Sequence, residues 1–266
     1  MLLAELRTLF RRTIVRVLLA VLFAIPVLLA VAVRLSGGPS SGQGPTFLDR
    51  VSHNGVFAAL AGLTISIPFF LPLTVAIVAG DTIAGESSLG TLRYLLTRPS
   101  GRVRLLAVKG ATVAVFAVVA GLVVVVGGLL AGAVLFPLGP VIGLSGIPLP
   151  LGDGILRSLL AAVIVGLSLI GIGSIGVFVS TLVNTPIPAT AITVGVVVAA
   201  LVAGSIPQIG FVHPWLFSHD WLAFGDLFRT PVTWSGVVRD LLLQAGYLVV
   251  FGSAAWARFT TRDILT

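Results

Sequence analysis

Histidine, carboxylates and serine are the usual material of metal centres and nucleophiles, and this 266-residue chain brings few of them together. His213, His219, Asp220 and Asp226 are the one cluster with the right composition for a metal. His219 and Asp220 are adjacent, so a helix cannot present both on one face. No third histidine follows, and a structural role is the expectation for all four. The absence of cysteine removes thiolate sites and disulfides. Gly171-Ile172-Gly173-Ser174-Ile175-Gly176 matches the glycine pattern of a dinucleotide-binding turn. That turn works only between a strand and a helix, whereas this run lies inside a long apolar stretch, where small residues serve close helix packing. Ser174 has no histidine or carboxylate near it in sequence to activate it. A phosphate-binding loop ends in Gly-Lys-Ser or Gly-Lys-Thr; the only lysine, Lys109, is followed by Gly110. No catalytic, cofactor or metal residue is therefore expected in this chain.

What surrounds these residues explains their poverty. The chain is 57% hydrophobic and 9% charged, against about 25% charged for a soluble domain. A soluble fold of this size could not hide so much apolar surface, so the solvent is lipid. A spanning helix needs roughly 20 apolar residues, and the runs predict an all-α membrane protein with six spans in a single transmembrane domain over residues 1–266. The spans fall at about 14–33, 56–79, 110–136, 159–183, 189–206 and 237–257. The first contains Pro26 and reads as a span, being long for the apolar core of a cleaved signal. The fourth and fifth separate at Asn184-Thr185-Pro186-Ile187-Pro188, a turn-forming sequence inside a stretch free of charge from Ser158 to His219.

All basic residues but one are arginine, and nearly all flank the apolar runs, as orientation signals do rather than nucleic-acid contacts. With both termini inside, the inner segments carry Arg7, Arg11, Arg12, Arg16, Arg93, Arg98, Arg102, Arg104, Lys109, Arg258 and Arg262. The outer ones carry Arg34, Arg50, Arg157, Arg229 and Arg239. The excess predicts cytoplasmic termini. No charge falls in the middle of a span, with Asp81, Arg239 and Asp240 at span ends, which argues against a proton-coupled carrier or ion pump.

Between the spans, Leu2, Leu6, Leu9, Phe10 and Thr13 share one helical face while Glu5 and Arg12 are expected to face away. This predicts an amphipathic helix on the inner leaflet; the plainer reading is a basic flank to the first span. Residues 36–54 form a Gly/Ser/Pro-rich outer loop. Residues 207–235 carry Trp215, Phe217, Trp221, Phe224, Phe228 and Trp234, a density that suits short interfacial or re-entrant outer helices. In the inner loop from Gly80 to Lys109, Leu89, Leu92 and Leu96 recur at helical spacing until Pro99.

That inner loop carries a family resemblance. Ile83-Ala84-Gly85-Glu86, Gly90-Thr91-Leu92-Arg93-Tyr94-Leu95-Leu96, Arg98-Pro99 and Arg102 closely resemble the inner loop of ABC-2 type transporter permeases. The span order, the basic N-terminal helix, the aromatic segment before the last span and Phe259-Thr260-Thr261-Arg262-Asp263-Ile264 are similar in layout. The resemblance is specific over about twenty residues. It implies a membrane subunit of an ABC exporter in a prokaryotic plasma membrane, engaged in efflux. It also implies a second permease as partner and two ABC ATP-binding subunits that hold ATP and Mg²⁺. It makes the inner loop a coupling helix docked on the ATPase, with Glu86, Gly90, Thr91, Leu92, Arg93, Leu95, Leu96, Arg98 and Arg102 in contact. Ser100-Gly101 departs from many relatives before the Arg, and the short inner turn at Asn184–Pro188 leaves most of the contact to the first loop.

For the path, spans two and five are the expectation. Pro68 and Pro72 are placed on one face of span two, where proline frees backbone carbonyls; Thr64, Ser66, Thr74, Thr190 and Thr193 add polar groups. Ordinary helix packing by the same residues is the competing reading. The rival functions are a secondary transporter or channel that needs no ATPase, and a membrane enzyme, which would need paired carboxylates or an intramembrane histidine.

Overall fold

The computed structural model describes residues 1–36, 47–88 and 101–261. It is an all-α multi-pass membrane protein. Six apolar helical stretches are long enough to cross a bilayer: Thr13–Ser36, Phe70–Ser88, Val103–Leu135, Leu151–Leu182, Pro186–Ser205 and Ser235–Thr261.

Helix α1 (Leu2–Arg11) is amphipathic and ends where Arg12 turns to extended backbone, which swings the chain into α2 (Thr13–Ser36). Leu9 is buried and Leu6 and Phe10 half-buried, while Leu2 and Leu3 are exposed. The expected outward direction of Glu5 and Arg12 is overturned: both reach partners on other helices, Glu5 to Lys109 and Arg12 to Asp81. Two opposite charges waiting at the bases of neighbouring helices outweigh the pull of water.

Pro26 interrupts the backbone ladder of α2, but its ring fits against two glycines. A β-carbon at Gly62 would lie 2.6 Å from Pro26 Cβ, and one at Gly127 would lie 3.3 Å from its Cγ.

The second crossing is not one helix. Helix α3 (Val56–Ser66) stops before Pro68, and α4 (Phe70–Ser88) begins after it. Eleven residues rise about 16 Å, short of the roughly 30 Å hydrocarbon core. Together α3 and α4 run back along α5 (Arg102–Leu135), the longest helix described, at 34 residues or about 51 Å. Contact along this seam is made by backbone. Gly55 meets Gly132, and a β-carbon on Gly128 would overlap Ala59. On another face, a β-carbon on Gly121 would sit 2.6 Å from Ala162 O. Small residues thus let three helices approach closely around α5.

After α5 come two short antiparallel strands, β1 (Val141–Ile142) and β2 (Pro148–Leu149), joined through Gly146 at φ +75. Nothing in the sequence reading anticipated this hairpin; two-residue strands are too short to show alternation. Helices α6 (Leu151–Ser168) and α7 (Ile170–Leu182) form one bent crossing, broken at Leu169. Helix α8 (Pro186–Ser205) starts with a proline in its first turn, where no N–H is needed. The aromatic segment folds as three 3-10 pieces, Pro207–Ile209, His213–Trp215 and Trp221–Phe228. Helix α9 (Ser235–Thr261) closes the bundle against α7.

Candidate functional site

The bases of α1, α4 and α5 meet in a cluster of five charges. Lys109, eight residues into α5, has a side chain only 3% exposed. Its ammonium pairs with Glu86 of α4 and, at 2.5 Å, with Glu5 of α1. Beside it Arg12 pairs with Asp81 of α4. An ammonium this deep would be costly alone; two carboxylates compensate it. Leu9, Val78 and Thr112 wall the cluster, with space for about one water between them. The charges lock the surface helix to α4 and α5 and also tie together the two ends of the inner loop. Glu86 stands two residues before the end of α4, and Lys109 stands two turns into α5.

Ser180 of α7 reinforces the same end of α4. Its hydroxyl donates to Gly80 O (2.8 Å) and accepts the N–H groups of Ile83 (3.0 Å) and Ala84 (2.8 Å). A side chain thus bonds directly to the backbone of α4 and splices α7 to it one turn before Glu86.

Of the expected coupling residues, Gly90, Thr91, Leu92, Arg93, Leu95, Leu96 and Arg98 lie outside the described residues. Arg102 opens α5. Glu86, read from sequence as able to meet a partner protein or cap a helix, is 14% exposed and turned to Lys109.

The expected path residues do not form one surface. Thr64, Thr74 and Thr193 are buried, and each hydroxyl donates to its own helix, at Leu60 O (2.9 Å), Leu71 O (2.8 Å) and Ala189 O (2.8 Å). Ser66 is fully buried with its hydroxyl unpaired among the described residues. Pro68 and Pro72 part company: the helix break leaves Pro68 exposed and turns Pro72 into the core. The expectation of a shared face assumed a continuous helix. Thr190 is half-buried against Gly80, whose β-carbon, were there one, would lie 2.8 Å from Thr190 Oγ1. It lines a groove of about 1120 Å³ with Arg12, Asp81, Ile77 and Ile187, between α2, α4 and α8.

A second polar cluster went unrecognised in the sequence. Asp240, on the second turn of α9, is 1% exposed and held by the Ser168 hydroxyl and by Gln244 Nε2 at 2.9 Å. Asp240 stands near the start of its crossing, as expected, and is buried there between helices. Gln244 Nε2 also donates to Phe217 O (2.8 Å), and Gln244 Oε1 accepts the Gly171 N–H (3.2 Å) freed by the bend at Leu169. Trp221 Nε1 donates to Ser168 O at 3.2 Å. One pair of side chains, spaced i and i+4 on α9, therefore fastens the bent crossing and the aromatic segment together. That spacing, in an otherwise apolar helix, was the available signal.

The histidine–aspartate group does not converge. His213 Nε2 lies 3.1 Å from both Ala203 O and Ile206 O at the end of α8. Asp220 pairs with Arg239, and Asp226 with Arg229. The glycines of 171–176 pack helices: Gly173 against Val113 and Gly176 against Ala79.

Two comparisons with known proteins bear on this arrangement. A family model described as a protein of unknown function (DUF2705) matches residues 27–265. Over 88 residues the chain is 39% identical to the probable ABC transporter permease protein NosY of Pseudomonas aeruginosa. That match covers 33% of this chain and spans 28% of the length of the relative.

Proposed function

Because the chain belongs to the DUF2705 family, whose description assigns no activity, we propose its function from its own residues: it is the permease subunit of an ATP-driven ABC transporter, and an exporter. It works as a pair of permeases in the cell membrane, with both termini cytoplasmic. Separate ABC ATP-binding subunits hold ATP and Mg²⁺.

The observation that carries this reading is the Glu86–Lys109 pair, which fastens the two ends of the inner loop. A loop pinned at its base transmits a push on its tip into α4 and α5 rather than absorbing it. Through Ser180 the push reaches α7, and through Glu5 it reaches α1. The partial likeness to a probable ABC permease supports the same reading. The path runs between the two permeases, along the side of α4 and α8 where Thr190 and Pro68 are accessible.

One observation favours a secondary transporter instead: Asp240 is a buried acid with no cationic partner among the described residues, and intramembrane acids mark proton paths. Reconstitution separates the two. The purified permease alone is expected to hydrolyse no ATP, and transport in vesicles should require the co-purified ATPase. Gly90→Trp, which leaves Glu86 and Lys109 untouched, should uncouple hydrolysis from transport. Transport by the permease alone, driven by a proton gradient and lost in Asp240→Asn, would overturn the ABC reading.

A further inference from the structure

A slot of about 420 Å³ opens between α5, α7 and α9, on a face of the bundle apart from the charge cluster. Its α5 wall runs from Val103 to Ala117, a rise of about 21 Å. One leaflet of hydrocarbon is about 15 Å thick, so the slot is at least as long as one leaflet is deep. It ends at Leu169, where the α6–α7 crossing bends. The walls are apolar, and Gly110 and Gly252 leave them open: no neighbouring atom lies within 4 Å of a β-carbon placed on Gly110, and only Leu248 Cδ1, at 3.9 Å, on Gly252. A slot one leaflet deep, apolar and narrow, has the shape of an acyl chain.

Its mouth is charged. Arg104 stands three and seven residues before Ala107 and Ala111, both in the wall, and so shares their face of α5. Arg258 stands one turn past Ala255 of the α9 wall. Both side chains are exposed and have no ion-pair partner among the described residues. Trp256, half exposed at the rim, is the residue type that settles at the headgroup level. Two unpaired cations above an acyl-shaped slot complement a phosphate carrying net negative charge.

We propose that this slot is a binding site for one anionic phospholipid, with its chain between α5, α7 and α9 and its phosphate between Arg104 and Arg258. A basic residue near an anionic headgroup contributes a gain of about five-fold, hence about twenty-five-fold for the pair over a zwitterionic lipid.

The test places the permease, with any bound partner subunits, in nanodiscs of equal phosphatidylglycerol and phosphatidylcholine and counts retained lipid by native mass spectrometry. The wild type should keep one phosphatidylglycerol per chain. Gly110→Leu fills the slot without a clash and should lose it; Gly252→Leu serves as the second filling variant. Arg104→Gln with Arg258→Gln should keep a lipid but lose the headgroup preference. The proposal fails if the wild type holds the two lipids in their bulk ratio, or if folded filling variants retain phosphatidylglycerol as the wild type does. It also fails if Ala111→Cys, the only cysteine in such a chain, cross-links to its counterpart in a second copy, since the slot would then be covered by protein.

Discussion

Replacing Lys109 by methionine tests whether the charge cluster holds the surface helix. The substitution keeps the stem and removes the ammonium. Glu5, at 28% exposure, and Glu86, at 14%, would then both lose the ammonium that bridges them. Removing one partner of a buried pair costs about 3–5 kcal/mol. Partial exposure of Glu5 puts this case at the low end, about 3 kcal/mol, which shifts the docked-to-undocked balance of α1 on the order of 100-fold. Leu9 reports undocking, because it is buried only while α1 is in place. In a chain with no native cysteine, Leu9→Cys should react slowly with a maleimide alone and far faster when combined with Lys109→Met. Adding Glu5→Gln and Glu86→Gln removes both carboxylate charges and should restore most of the protection, since a whole buried ion pair is often replaceable without loss. If Lys109→Met leaves labelling unchanged, or the added glutamine changes restore nothing, the cluster does not hold α1 and the transmission argument loses its base.

Further outcomes follow from other contacts. Gln244→Leu should strand the Gly171 N–H and the Phe217 carbonyl at roughly 1–3 kcal/mol each, seen as a lower melting temperature in detergent, while Gln244→Glu keeps an acceptor for Gly171 but sets a second buried carboxylate against Asp240 and should be at least as damaging. Gly128→Val drives a β-carbon into the Ala59 backbone and should abolish accumulation of folded protein, costing more than about 3 kcal/mol; Gly246→Val, with open space around it, should accumulate normally by fluorescence size-exclusion. For orientation, Gln208→Cys should label from outside intact cells and Thr261→Cys only after the membrane is opened; the reverse pattern would invert the proposed topology.

Apolar run length, with the turn sequence at Asn184–Pro188, indicated six crossings, because in lipid the demand for about 20 apolar residues leaves little room for another count. Local breaks were less visible. Pro68 and Pro72 signalled trouble in the second crossing, but which would sit in the break and which in the core depended on the register against α5. The charges misled more deeply. Glu5 and Arg12 were assigned to water by a rule that treats a helix as alone, whereas their partners stand 104 and 69 residues away in sequence. Lys109 was read as a lysine without a phosphate loop and as one more inner orientation charge. Its role depends on α1 and α4 reaching it in space, which no spacing along the chain encodes. Asp240 and Gln244 had a legible i, i+4 spacing but no legible partner, since Ser168 and Gly171 belong to another crossing.

The seam between α3 and α5, where Gly55 touches Gly132 and Gly128 touches Ala59 through backbone alone, has a consequence for how this protein can change over generations. Exposed apolar positions such as Val249, Leu242 and Val250 ask only for an apolar side chain, and most single-base changes among Val, Ile, Leu and Phe keep that property. The seam positions admit no such exchange, because any added carbon pushes two helices apart. The sequence is therefore free to drift over most of its length while its shape is pinned at a handful of glycines. Two descendants of this chain would lose their overall identity long before they lost their architecture.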